Sequence, residues 1–169
     1  MDELFQEMMG VDSKIALEFF YGELGEMYGL RSYDKDQELS YVASVLAHYA
    51  QTSRSDGTLS VPLADSLSDV FDLVIMQEFE TKDPDILEIS GSHVLLLAGF
   101  FRQQMSRRHN VKWYDQIGQS LYFDAARYCP DRRKRLLFEQ ISDSFPEWTG
   151  ICSTLQKRFW ENRFLLRLG

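Results

Sequence analysis

The sequence is poor in the residues that anchor most recognisable chemistry. It holds two cysteines, Cys129 and Cys152, three histidines, His48, His93 and His109, and four prolines in 169 residues. Cysteines that far apart make no Cys-x-x-Cys pair, so free thiols in a reducing compartment are expected rather than a zinc ribbon or a disulfide scaffold. Glu-x-x-His and His-Glu-x-x-His are both absent, which removes the helical di-iron and zinc-protease patterns. Neither glycine-rich phosphate loop occurs. The strongest apolar run, VLLLAGFF at residues 94–101, is eight residues long, whereas crossing a bilayer takes about 20. The opening MDELFQEMMG is acidic and lacks the basic-then-apolar order of a signal peptide. A cytoplasmic protein without cofactor or metal is therefore expected.

What is present suits a packed globule. Hydrophobic residues make up 44% and aromatic residues 14% of the chain, too much apolar surface for a disordered segment. At this length one domain with its own core is the simplest organisation. We expect a single helical domain over residues 1–169, with only residues 51–62, rich in Ser, Thr, Gly and Asp, as a long connection.

Helical periodicity recurs along the chain. Leu39, Val42, Val45, Leu46 and Tyr49 share one face, as do Leu63, Leu67, Val70, Phe71, Val74 and Ile75. Asp83 and Pro84 read as the cap and first turn of the next helix. That helix, expected over residues 84–104, is uncharged from Ser90 to Phe101. It places Ile86, Ile89, Ser90, His93, Leu97, Phe100 and Phe101 at helical spacing. Being apolar nearly all round, it should be the central, buried helix. Further patterns put Tyr114, Ile117, Gly118, Leu121, Tyr122 and Ala125 on one face, then Leu136, Leu137 and Ile141, then Trp148, Ile151, Cys152, Leu155 and Phe159. The fold class is all-α: a bundle of six or seven helices around residues 84–104. Gly91 with Ala98, and Gly118 with Ala125, sit seven apart, which suggests that two helix backbones approach closely through these small positions.

No set of residues makes a catalytic constellation. Ser90, Ser92 and His93 are neighbours, but a mid-helix serine has neither a strained elbow nor free N–H groups for an oxyanion hole. Catalytic residues are accordingly none. A polar cluster of Ser92, His93, Tyr114 and Tyr122 between the two central helices is the best candidate ligand site. Charge is distributed unevenly. Residues 1–92 carry 19 Asp+Glu against 5 Lys+Arg, a balance of −14; residues 93–169 carry 7 against 13, a balance of +6. The cations concentrate in Arg102, Arg107, Arg108 and Lys112, and again in Arg132, Arg133, Lys134 and Arg135. Four cations at a helix start oppose its dipole, a cost that calls for a partner or for nearby carboxylates. The leading expectation is a non-catalytic protein-interaction module that associates with itself or with another protein through this basic patch. The alternative is a small-ligand- or metal-binding helical protein, even an enzyme, built on the polar cluster. A nucleic-acid-associated regulator ranks third, because a net charge of −8 opposes it.

The stretch from Gly91 to Ala126 resembles part of a widespread bacterial family of small helical proteins of unknown function. The resemblance is carried by Gly91, Leu96, Gly99, Phe100, Arg107, Trp113, Tyr114, Gly118 and Tyr122. Members often place Asp after the first glycine, where this chain has Ser92. The resemblance implies an all-helical bacterial protein and brings no activity with it.

Overall fold

A computed structural model describes residues 13–28, 35–55, 81–107 and 110–167. The helical pattern read at residues 63–75 lies outside them. The described residues form an all-α helical bundle without a strand among them. In chain order the elements are α1 (Ser13–Tyr28), α2 (Asp36–Ser55), α3 (Pro84–Leu95), a π-helical turn (Leu96–Phe100), α4 (Arg102–Ser106), α5 (Val111–Tyr128), α6 (Arg132–Asp143) and α7 (Phe145–Arg167). The chain divides into two compact units: Met1–Leu59 with Thr154–Gly169, and Ser60–Ser153.

In the first unit α1 packs on α2. Ala16, Phe20 and Leu24 supply the buried face of α1; Val42, Ala43, Leu46, Ala47 and Ala50 supply that of α2. These residues recur at three and four, the spacing that lines one side of a helix. The Tyr21 hydroxyl donates to Asp36 at the start of α2. That bond first, then desolvation and the charge of the Asp36 carboxylate, hold the Tyr21 phenol above its usual pKa.

The second unit is built around α3. Asp83 caps it by accepting from the Asp85 N–H at 3.0 Å, with Pro84 at the first helical position, as the sequence indicates. Gly91 and residues 94–99 are buried, so the uncharged run is interior helix. Two details depart from expectation. The helix is not one α-helix to residue 104: the Phe101 N–H reaches back five residues to the Leu96 carbonyl at 2.9 Å, forming the π turn. The inward face also differs. Leu87, Ser90, Gly91, Val94 and Leu95 are buried, whereas Ile86 and Ile89 face solvent, Ile89 at 55% exposure. Gly91 decides this rotation. A Cβ there would lie 2.9 Å from the Tyr122 ring of α5, so only glycine admits the ring. Position 89 is about 200° round the helix from position 91 and must point away.

α5 runs antiparallel to α3, since Gly91 meets Tyr122 and, eleven residues on, Arg102 reaches back to Asp115. The nearest neighbour of Gly118 is not on α3, as its pairing with Ala125 suggests, but on α7. Gly118 accommodates Phe145 at the start of α7, whose ring comes within 2.1 Å of a Cβ built there. α6 returns along α5, tied by a reciprocal pair: Gln119 Nε2 donates to the Ser142 carbonyl, and Ser142 Oγ donates to the Gln119 carbonyl. On α6 the inward residues are Phe138, Ile141 and Ser142. Leu136, expected inside, is 49% exposed, and Leu137 is half-buried. On α7, Trp148, Cys152 and Leu155 are buried as expected, and Ile151 is half-buried.

Candidate functional site

The four residues expected to form a polar cluster do not occupy equivalent positions. Tyr122 and Tyr114 are buried on α5, eight residues and about 12 Å apart along the axis. The Tyr122 ring lies over Gly91 and between Phe138 and Phe145, each with its ring centre 6.0 Å away. Tyr114 meets Trp113 edge-on at 5.1 Å. Ser92 and His93 are half-buried on α3, about 100° and 200° round the axis from the Gly91 face that receives Tyr122. The Ser92 hydroxyl donates to the Ile89 carbonyl of its own helix at 2.7 Å.

A different polar cluster is assembled where the π turn, α5 and α7 meet. The Arg102 guanidinium donates to the Ala98 carbonyl at 3.0 Å and pairs with Asp115 at 3.4 Å. Asp115 also accepts from the Thr149 hydroxyl at 3.1 Å, which is shared with the Pro146 carbonyl. The carboxylate is 13% exposed and the guanidinium 31%. Beside it, Gly99 lets α7 come in closely: a Cβ at residue 99 would stand 2.9 Å from Cys152 Cβ and 3.3 Å from Thr149 Cα. Burial pushes the Cys152 thiol up to about 12, which removes it as a nucleophile near neutral pH. The sequence signals neither partnership of Asp115. The two join residues 13 and 34 positions apart. Each bond ends on protein, so this cluster fastens the π turn and the start of α4 to α5 and α7.

The basic residues fall into two groups at opposite ends of α5, an 18-residue helix about 27 Å long. At its start, Arg107 and Lys112 are exposed, Arg102 is engaged by Asp115, and Arg108 lies outside the described residues. At its end, Arg135 is committed to the chain's own backbone: Nε and Nη2 donate to the Cys129 carbonyl at 3.3 and 3.0 Å. This satisfies a carbonyl at the C-terminus of α5 with a cation. Arg132, Arg133 and Lys134 are exposed, with no ion pair among the described residues. The electrostatic cost of opening α6 with cations is partly met by Asp131, whose carboxylate accepts from the Arg133 and Lys134 N–H groups at 2.9 and 3.4 Å. Large apolar side chains accompany these charges at the surface. Phe123 on α5 is 59% exposed, and Leu136 stands one turn after Arg132 and Arg133 on α6.

Among the described residues no group of three or more His, Cys, Asp or Glu is placed to hold a metal ion. No described helix is long and apolar enough to cross a membrane. Both cysteines are free and buried. No family model, curated protein or solved structure matches the chain.

Proposed function

We propose that the protein is a non-catalytic interaction module that associates with copies of itself. The observation that supports this reading is the run of exposed cations Arg132, Arg133 and Lys134, without an ion pair among the described residues, one turn before exposed Leu136 on α6, with a second large apolar side chain, Phe123, exposed on α5. Exposed cations next to exposed apolar side chains are surface that association would cover. The complementary charge is available in the chain itself, since residues 1–92 carry the balance of −14. Opposite fields on two regions of one molecule steer copies toward each other.

Light scattering coupled to size-exclusion chromatography tests this. At low salt the mass should exceed the 19.8 kDa of one chain and rise with concentration. Raising salt to about 0.5 M shortens the screening length to about 4 Å and should return the mass toward one chain. A single-chain mass at every salt and concentration would remove the reading.

A further inference from the structure

The first unit presents a surface that matches the cationic one in both charge and apolarity, and it lies on α1. Opposite the buried Ala16, Phe20 and Leu24, the exposed arc of α1 carries Leu17, Glu18, Tyr21, Gly22 and Glu26. Glu18, Gly22 and Glu26 follow one another at intervals of four, with Leu17 and Tyr21 in the adjoining row. Tyr21 is held in place by its hydrogen bond to Asp36.

Gly22 is the unusual residue in this arc. Glycine inside an exposed helix is unfavourable relative to alanine. At Gly91, Gly99 and Gly118 the cost has a visible return, since each admits a neighbour that a Cβ would strike, whereas at Gly25 and Gly150 a Cβ would meet only ordinary contact or none. At Gly22, as at Gly150 on α7, a Cβ would meet nothing within 4 Å; Gly22 differs in lying between two exposed glutamates and beside exposed Leu17 and Tyr21. Nothing described within the chain uses the missing side chain, whereas a partner helix lying close against α1 would.

We infer that α1 of one copy docks on the opening turns of α6 of a second copy, Glu18 and Glu26 facing Arg132, Arg133 and Lys134, and Leu17 and Tyr21 meeting Leu136. This rests on the self-association proposed above and names its two faces. The faces differ, so the contact is head-to-tail: each copy offers one acidic and one basic surface, and growth continues into a ring or a filament. The other occupants of the α6 face, an unrelated acidic protein or a nucleic acid, have no counterpart elsewhere in the chain.

Two full-length variants test the assignment. One neutralises the basic face (Arg132→Gln, Arg133→Gln, Lys134→Gln). The other neutralises the acidic face (Leu17→Ala, Glu18→Gln, Glu26→Gln). Circular dichroism confirms that each is folded. Each alone should run at the mass of one chain under conditions where the parent associates. Mixed in equal amounts they should form a two-chain species and grow no further, because the mixture retains one intact acidic face and one intact basic face. Parent-like assembly by either variant alone, or no two-chain species in the mixture, overturns the assignment while the self-association reading stands. A parent that never associates overturns both. Gly22→Ala adds a readout that a purely structural role would not produce. It should raise the melting temperature by about 2–4 °C and yet move association to higher concentration. A gain in melting temperature with association unchanged counts against the docking of α1.

Discussion

Replacing Gly118 with alanine puts a methyl group where the structure has a buried ring. The new Cβ would lie 2.1 Å from Phe145 Cζ and 2.3 Å from Cε1. Carbon atoms settle at about 3.5 Å or more, so the ring must retreat by roughly 1.4 Å. It has little room to do so. Phe145 is fully buried, has Tyr122 at 6.0 Å on one side, and begins α7 only two residues after α6 ends at Asp143. Overpacking of this kind costs about 1–3 kcal/mol. Alanine returns up to about 1 kcal/mol through its better helix propensity. The net expectation is a loss of about 1–2 kcal/mol, or a fall in melting temperature of about 2–8 °C for a chain of this size. Urea and thermal denaturation followed by circular dichroism measure it. The double variant Gly118→Ala/Phe145→Leu, with a smaller side chain at 145, should lose less than the two single losses added together. A Gly118→Ala protein as stable as the parent, or strictly additive losses, would show that the ring is not held against residue 118.

Removing Asp131 (Asp131→Ala) should cost about 1 kcal/mol by uncapping α6. The cost should be larger at low salt, because the same carboxylate offsets the cations that follow it; a salt-independent loss contradicts that role. Cys152 is held protonated in the folded chain, with its pKa raised from 9.0 to about 12. Its contribution to stability is therefore full below pH 9 and declines as pH rises from 9 toward 12, by roughly 1.4 kcal/mol per pH unit. The stability difference between the parent and Cys152→Ala should shift in that direction between pH 8 and pH 10. Iodoacetamide at pH 8 should leave Cys152 unmodified until urea unfolds the chain, and rapid native labelling would show the thiol to be accessible. Asp115→Asn should cost about 1 kcal/mol. The loss is modest because Arg102 has solvent available and the Thr149 hydroxyl keeps its bond to the Pro146 carbonyl. The additional cost of Arg102→Ala in that background should be smaller than its cost in the parent.

Much of the architecture follows from forces that act within a few residues. Asp83 and Pro84 start α3 through a cap and a preset φ, both local effects. Residues 94–99 carry no charge or polar side chain that water could claim, so their burial follows from desolvation. Residues 39–49 and 114–125 are helical as their periodicity indicates, because a stripe of apolar groups at three and four leaves water as a helix face, although Leu39, Val45, Tyr49 and Leu121 of the expected faces are only half-buried.

The faces themselves, and every polar fastening, depend on elements distant in sequence. On a helix apolar all round, burial gives no preference between the Ile86–Ile89 side and the Gly91 side; the fit of the Tyr122 ring against Gly91 makes that choice. On α6, Leu136 and Phe138 are both apolar, and the Tyr122 ring beside Phe138, with Gln119 bonded to Ser142, sets the rotation that exposes Leu136. The candidate surface divides in the same way. Its cations are legible as a run, but Arg102 and Arg135 are withdrawn from it by Asp115 and the Cys129 carbonyl, partners that only the folded chain brings within reach. Sequence by itself determined that the chain is helical and that residues 94–99 lie inside, because propensity, capping and desolvation are properties of short segments. Tertiary structure alone decided which side of each helix turns inward and which charges stay available, because shape complementarity and long-range hydrogen bonds exist only between elements already packed.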